Sequence, residues 1–107
     1  MVQENNQKYA NKIGYSDVEP FEVVGTITEK TLDIRQMDAR NIKPATMVAP
    51  GGFVGHFDNS TQEWEITSNV GFQIVRIRQN KKGEWKDKNG NLYQIGDKPR
   101  KVYDYNF

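Results

Sequence analysis

Apolar and polar residues alternate in short runs along most of this chain. In residues 21–28 (FEVVGTIT), Phe21, Val23 and Ile27 fall on one face of an extended segment, with Val24, Thr26 and Thr28 on the other. Residues 31–37 (TLDIRQM) alternate again, with Leu32 and Ile34 inward. Glu29-Lys30 between them reads as a two-residue turn, so the pair predicts a β-hairpin. Residues 62–67 (QEWEIT) place Trp64 and Ile66 inward. Residues 72–78 (FQIVRIR) form the strongest predicted strand, rich in aromatic and β-branched side chains, with Val75 and Ile77 on one face and Ile74, Arg76 and Arg78 on the other.

Turn signals punctuate these runs. Residues 80–83 (NKKG) predict a hairpin turn with Gly83 in the left-handed region, and Asn89-Gly90 predicts a type I′ turn with positive φ at both residues. Residues 84–87 and 91–95 flank the second turn as short strands, and residues 100–107 predict a last edge strand. Residues 38–49 (DARNIKPATMVA) show no clean period and read as a long loop, with Pro44 disfavouring helix before it. No helical period longer than about one turn occurs, so the pattern predicts an all-β domain over residues 13–107, a small SH3-like barrel or a compact antiparallel sandwich. Residues 1–12 (MVQENNQKYANK) are polar and read as a disordered N-terminal tail.

Composition narrows the chemistry. With no cysteine among 107 residues, disulfide scaffolds, thiol nucleophiles and cysteine-based zinc sites are excluded. No apolar run reaches the roughly 20 residues of a membrane helix, and no signal peptide is visible, so the expectation is a cytoplasmic protein with no membrane partner. The net charge of +1 hides an asymmetry. Residues 1–73 carry six basic and ten acidic side chains, whereas residues 74–101 carry nine basic and three acidic ones. A basic C-terminal third can attract a polyanion.

The segment of residues 50–57 (PGGFVGHF) concentrates three of the nine glycines and the only histidine. It matches neither a phosphate-binding Walker loop nor a dinucleotide fingerprint. It reads instead as a conformationally demanding corner, with Phe53 and Phe57 anchored in the core. His56 is open between a structural and a ligand-facing role. One histidine without cysteine does not make a metal site, and no cofactor is expected. Ser16, Ser60 and Ser68 lie in no nucleophile motif, so the reading leans against an enzyme. The best binding constellation is basic plus aromatic: Arg76, Arg78, Lys81, Lys82, Trp85, Lys86, Arg100, Lys101, Tyr103 and Tyr105.

Residues 50–56, the strand at 62–64 (QEW), 75–78 (VRIR), 83–87 (GEWKD) and the ending 99–107 (PRKVYDYNF) together resemble a group of small uncharacterised bacterial and phage proteins. The resemblance implies a prokaryotic or phage setting and transfers no catalytic residue. The expected function is a binding module for a protein or nucleic-acid partner, with Gly51, Gly52, Phe53, Gly55, His56, Arg76, Arg78, Arg100 and Tyr103 as candidate contacts. Two alternatives stand beside it. One is a small-ligand or anion-binding protein, or a minor enzyme, that uses His56 and the Gly51–Gly55 loop. The other is a phage or mobile-element protein acting on a host factor. Homo-oligomerisation stays open.

Overall fold

The alternating runs become antiparallel strands, and the described residues contain no helix. The structure is a computed structural model that describes residues 8–43, 46–48, 56–58 and 62–104, with the backbone alone for 46–48 and 56–58. The strands are β1 (Tyr9–Ile13), β2 (Val18–Glu19), β3 (Phe21–Thr28), β4 (Thr31–Gln36), β5 (Asp38–Lys43), β6 (Thr46–Val48), β7 (His56–Asp58), β8 (Glu63–Thr67), β9 (Ile74–Gln79), β10 (Trp85–Lys86) and β11 (Leu92–Gly96).

Six of them close into a barrel in the order β11-β10-β9-β4-β3-β1, sealed by β1 against β11 from Tyr9↔Gly96 to Ile13↔Leu92. The all-β expectation holds, and closure favours the barrel over the sandwich. Closure pairs the edges that an open sheet would leave exposed. It also corrects the expected tail. Residues 9–12 are not a tail but part of β1, with Ala10 fully buried, and residues 1–7 lie outside the described residues. The short polar segment is hard to read as a strand because its partners, β11, β2 and β3, lie elsewhere in the sequence.

The core is formed by Ala10, Phe21, Leu32, Ile34, Ile77 and Tyr93, with Val23, Val75, Trp85 and Ile95 packed against it. Ile34, opposite Val75, and Ile77, opposite Leu32, lie on the interior side of β4 and β9 at 0% exposure. Burying each contributes about 1.5–3 kcal/mol. Phe21 meets Tyr93 edge to face at 5.3 Å between ring centroids. Leu32, Ile34, Val75 and Ile77 thus keep their expected faces. Ile27 does not: it is 48% exposed. Register shifts at Val23/Gly25 and Thr26/Thr28 insert extra residues into β3, and each insertion moves the next side chain to the other face.

Two further expectations change. The segment read as a loop, residues 38–49, contains β5 and β6. β5 pairs with β8 from Asp38↔Thr67 to Lys43↔Glu63, and β6 pairs with β7 from Thr46↔Asp58 to Val48↔His56. These pairings form two further two-stranded ladders, a ribbon that follows the antiparallel β4–β9 pair in sequence, and residues 49–55 join β6 to β7 along the chain. Most of β5 is exposed on both faces, so no apolar alternation announces it. The expected edge strand at residues 100–107 is, as far as described, one bridge, Val18↔Val102, and residues 105–107 lie outside the description.

That C-terminal segment is strapped onto the barrel by side chains. Asn11, nearly buried, donates from Nδ2 to Lys98 O at 2.9 Å and accepts from Arg100 N at 2.9 Å. Lys101 Nζ pairs with Glu19 at 2.8 Å and lies 5.3 Å from the Trp64 ring centroid. Gln62 accepts from Tyr103 N and from Trp64 Nε1, tying the ribbon to the same strap.

Candidate functional site

The basic third of the chain folds into a meander, β9-β10-β11, whose two loops are built alike. In residues 80–84 (NKKGE), Gly83 N donates to Asn80 O at 3.0 Å and Asn80 N donates to Glu84 O at 2.9 Å. In residues 87–91 (DKNGN), Gly90 N donates to Asp87 O at 3.0 Å and Asp87 N to Asn91 O at 3.2 Å. Gly83 and Gly90 hold φ of 84° and 85°. Each loop is therefore a three-residue connection ending in a left-handed glycine. The type I′ expectation at Asn89-Gly90 is corrected, because no residue other than glycine has positive φ among the described residues. The first side chain of each loop completes it. Asn80 Oδ1 accepts from Lys82 N and Glu84 N, and Asp87 Oδ1 accepts from Asn89 N and Asn91 N.

These loops set the register that builds the site. Lys86 on β10 lies directly opposite Arg78 on β9, and Arg78 on its other side faces Thr31 of β4. Arg76, two residues back on the same outer face, opposes Asp33. Arg76 Nε and Nη2 grip the two Asp33 oxygens at 2.8 and 3.2 Å. That hydrogen bond from Arg76 holds the Asp33 carboxyl below its usual range. Arg78 has no such partner: among the described residues no carboxylate pairs with it. Lys86 has only Glu84, at 3.7 Å on an exposed surface.

A surface cavity of about 660 Å³ runs along this face, lined among others by Ile74, Arg76, Arg78, Lys86 and Lys88. Among the described residues, Asp87 is the one carboxylate on its lining. Burial alone would raise the Asp87 pKa, but bonds from Asn91, Tyr93 and Asn89 outweigh it and hold the group below its usual range. Its oxygens are thus occupied by the loop and by Tyr93 Oη at 3.0 Å. At the other end of β9 the surface turns apolar. Ile74 is 57% exposed, and Val70 and Phe72 are exposed in the turn that leads into the strand. Asn69 closes that turn by accepting from Gly71 N.

The structure brings only some of the expected residues together. Arg76 and Arg78 share the cavity with Lys86 and Lys88, whereas Arg100 lines a separate depression with Ile13, Val18 and Leu92. The Arg100 guanidinium approaches Gln94 Oε1 at 3.5 Å. Tyr103 belongs to the strap at Gln62, Lys101 to Glu19, and Trp85 packs against the core. Gly51, Gly52, Phe53 and Gly55 lie outside the described residues. His56 opposes Val48 in β7, and its side chain is likewise outside the description. Lys88 and Asp33 were not singled out by the sequence. Lys88 sits between two turn residues and looks like a solubilising lysine, and only register reveals Asp33 as the partner of Arg76.

No cluster of three or more potential metal-binding side chains occurs among the described residues. No described helix is long and apolar enough to cross a membrane. A scan against protein-family models gives no match, and neither the curated proteins nor the solved structures yield one.

Proposed function

We propose that this protein is a non-enzymatic binding module that holds a single-stranded nucleic acid along the outer face of β9 and β10. One observation carries the reading: Arg78, which no described carboxylate pairs with, stands directly opposite Lys86, whose one carboxylate partner among the described residues is the exposed Glu84 at 3.7 Å. Like charges in opposed positions destabilise a sheet, so an external anion supplies what the fold withholds. Phosphates neutralise Arg78, Lys86 and Lys88, while Arg76, already held by Asp33, orients the row. Ile74 and Phe72 at the apolar end offer surfaces to unpaired bases, which a duplex keeps stacked inside.

The test is fluorescence anisotropy with labelled oligonucleotides, single- and double-stranded, across a salt series. The proposal expects binding at low salt, with log Kd rising linearly against log salt at roughly 0.7 per phosphate contact for a single strand. Arg78→Ala and Lys86→Ala should each lower that slope by about 1 or less, the change expected for losing one phosphate contact. Phe72→Ala should weaken single strands and leave the slope unchanged. Absence of binding to every oligonucleotide at low salt overturns the proposal, as does a slope that neither basic substitution moves.

A further inference from the structure

One end of the barrel is open. Beside the Glu29-Lys30 turn lies a cavity of about 460 Å³, within the roughly 300–1,000 Å³ of small-molecule pockets, which occur in barrel mouths. Its floor is Leu32, buried, with Val23, Trp85 and Ile95 half-buried around it. The two irregularities in β3 shape its wall, which includes Gly25 and Thr26. This mouth is separate from the outer β9–β10 face.

Three polar groups on residues that line the mouth lack partners among the described residues. The indole N–H of Trp85 has no acceptor, whereas that of Trp64 donates to Gln62 Oε1 at 2.6 Å. Lys8 and Glu29 both line the cavity and are both exposed. Neither side chain pairs with the other or with any described residue. The mouth therefore offers one free charge of each sign above an apolar, aromatic floor.

We propose that the barrel mouth binds a small zwitterion with an apolar body, the chemistry of an apolar α-amino acid. Its carboxylate meets Lys8 and the Trp85 indole N–H, and its ammonium meets Glu29. Its side chain covers Val23, Leu32 and the Trp85 ring. An apolar acid would leave Glu29 unanswered, and an apolar amine would leave Lys8 unanswered. The zwitterion alone answers both.

The two indole N–H resonances in a ¹⁵N-correlated NMR spectrum provide the readout, with Trp64 as the internal control. The probes are L-phenylalanine, phenethylamine and 3-phenylpropionate, titrated into the full chain to about 10 mM, enough to occupy a site with a millimolar Kd. L-phenylalanine should shift Trp85 and leave Trp64 in place. Each single-headed analogue should bind about 1.5- to five-fold more weakly, the range for losing one exposed ion pair. Lys8→Ala and Glu29→Gln should bring L-phenylalanine down to the level of the matching analogue. Thr26→Trp, at an exposed rim position, should fill the mouth and abolish the shift while the thermal midpoint holds. A Trp85 resonance unmoved by L-phenylalanine overturns the proposal. So do analogues that bind as tightly as L-phenylalanine, or a Thr26→Trp variant that binds it normally.

Discussion

Arg78→Glu separates folding from binding, because the two place opposite demands on one position. Arg78 forms no ion pair, so the substitution breaks none among the described residues. It removes a positive charge flanked by Arg76 two residues away and by Lys86 directly opposite. It then sets a carboxylate against Lys86. Opposed unlike charges on a sheet contribute about 0.2–1 kcal/mol, and opposed like charges cost a similar amount. Exposure of both side chains keeps the combined change near the lower end, about 0.5 kcal/mol of added stability. For a chain of this size that raises the thermal midpoint by about 2–4 °C. The assay is thermal unfolding by circular dichroism at low salt and again near 1 M salt. There the screening length falls to about 3 Å and the gain should vanish. Arg78→Gln should recover about half of the stabilisation, from the lost repulsion alone. Oligonucleotide affinity should fall in the order wild type, Arg78→Gln, Arg78→Glu. A destabilised Arg78→Glu at low salt, or a gain that persists at high salt, would refute the reasoning, since Arg78 would then be serving the fold.

Three other outcomes follow from the packing and the loops. Ile34→Ala, at a site with 0% exposure, should cost about 3–4 kcal/mol in urea unfolding, and a loss below about 2 kcal/mol would show a loosely packed interior. Gly83→Ala and Gly90→Ala should each cost about 1–2 kcal/mol, because both glycines hold left-handed φ near 85°, and the two losses should agree because the loops match. Asp87 and Tyr93 should give the stability profile an acid and an alkaline limb. The lowered Asp87 pKa contributes stability that is present above its unfolded value of about 4 and is lost as pH falls through the folded one, so Asp87→Asn should flatten the acid limb. The Tyr93 pKa is raised by burial and by its bond to Asp87, so its contribution is full below about 10 and is lost as pH rises beyond. Phenolate absorbance should therefore show Tyr93 ionising only as the protein unfolds.

The barrel staves were legible where one face is buried and the other wet. Residues 31–37 and 74–78 announce β4 and β9 because Leu32, Ile34, Val75 and Ile77 must alternate with solvated neighbours. The same signal fails where that asymmetry fails. β5 is exposed on nearly every residue, so its pairing with β8 leaves no apolar period to read. Ile27 was misplaced for a different reason. An insertion into β3 is defined only against the partner strand, and β3 alone keeps a clean alternation through it.

The candidate site shows the same limit at finer scale. Arg76 and Arg78 were visible as a basic face, but their partners depend on loop length. Had Asn89-Gly90 formed a two-residue turn, Lys88 would face Asn91, and Lys86 would no longer face Leu92 as it does. A two-residue turn at Lys81-Lys82 would likewise set Arg78 against Trp85 in place of Lys86. One residue of slip sends every side chain to the other face of the sheet. The three-residue geometry is chosen by Asn80 and Asp87, each of which accepts two backbone N–H bonds across its loop, and by the glycine that closes it. The opposition of Arg78 and Lys86 is therefore a product of the first turn, and the second sets Lys86 against Leu92. It follows that Asn80→Ala, on the cavity lining but outside the proposed phosphate contacts, should weaken oligonucleotide binding by loosening the β9–β10 register. Exchange-broadened NMR signals at Arg78 and Lys86 would report that loosening, and a variant with unchanged β9–β10 cross-strand contacts and reduced affinity would place Asn80 in the interface itself.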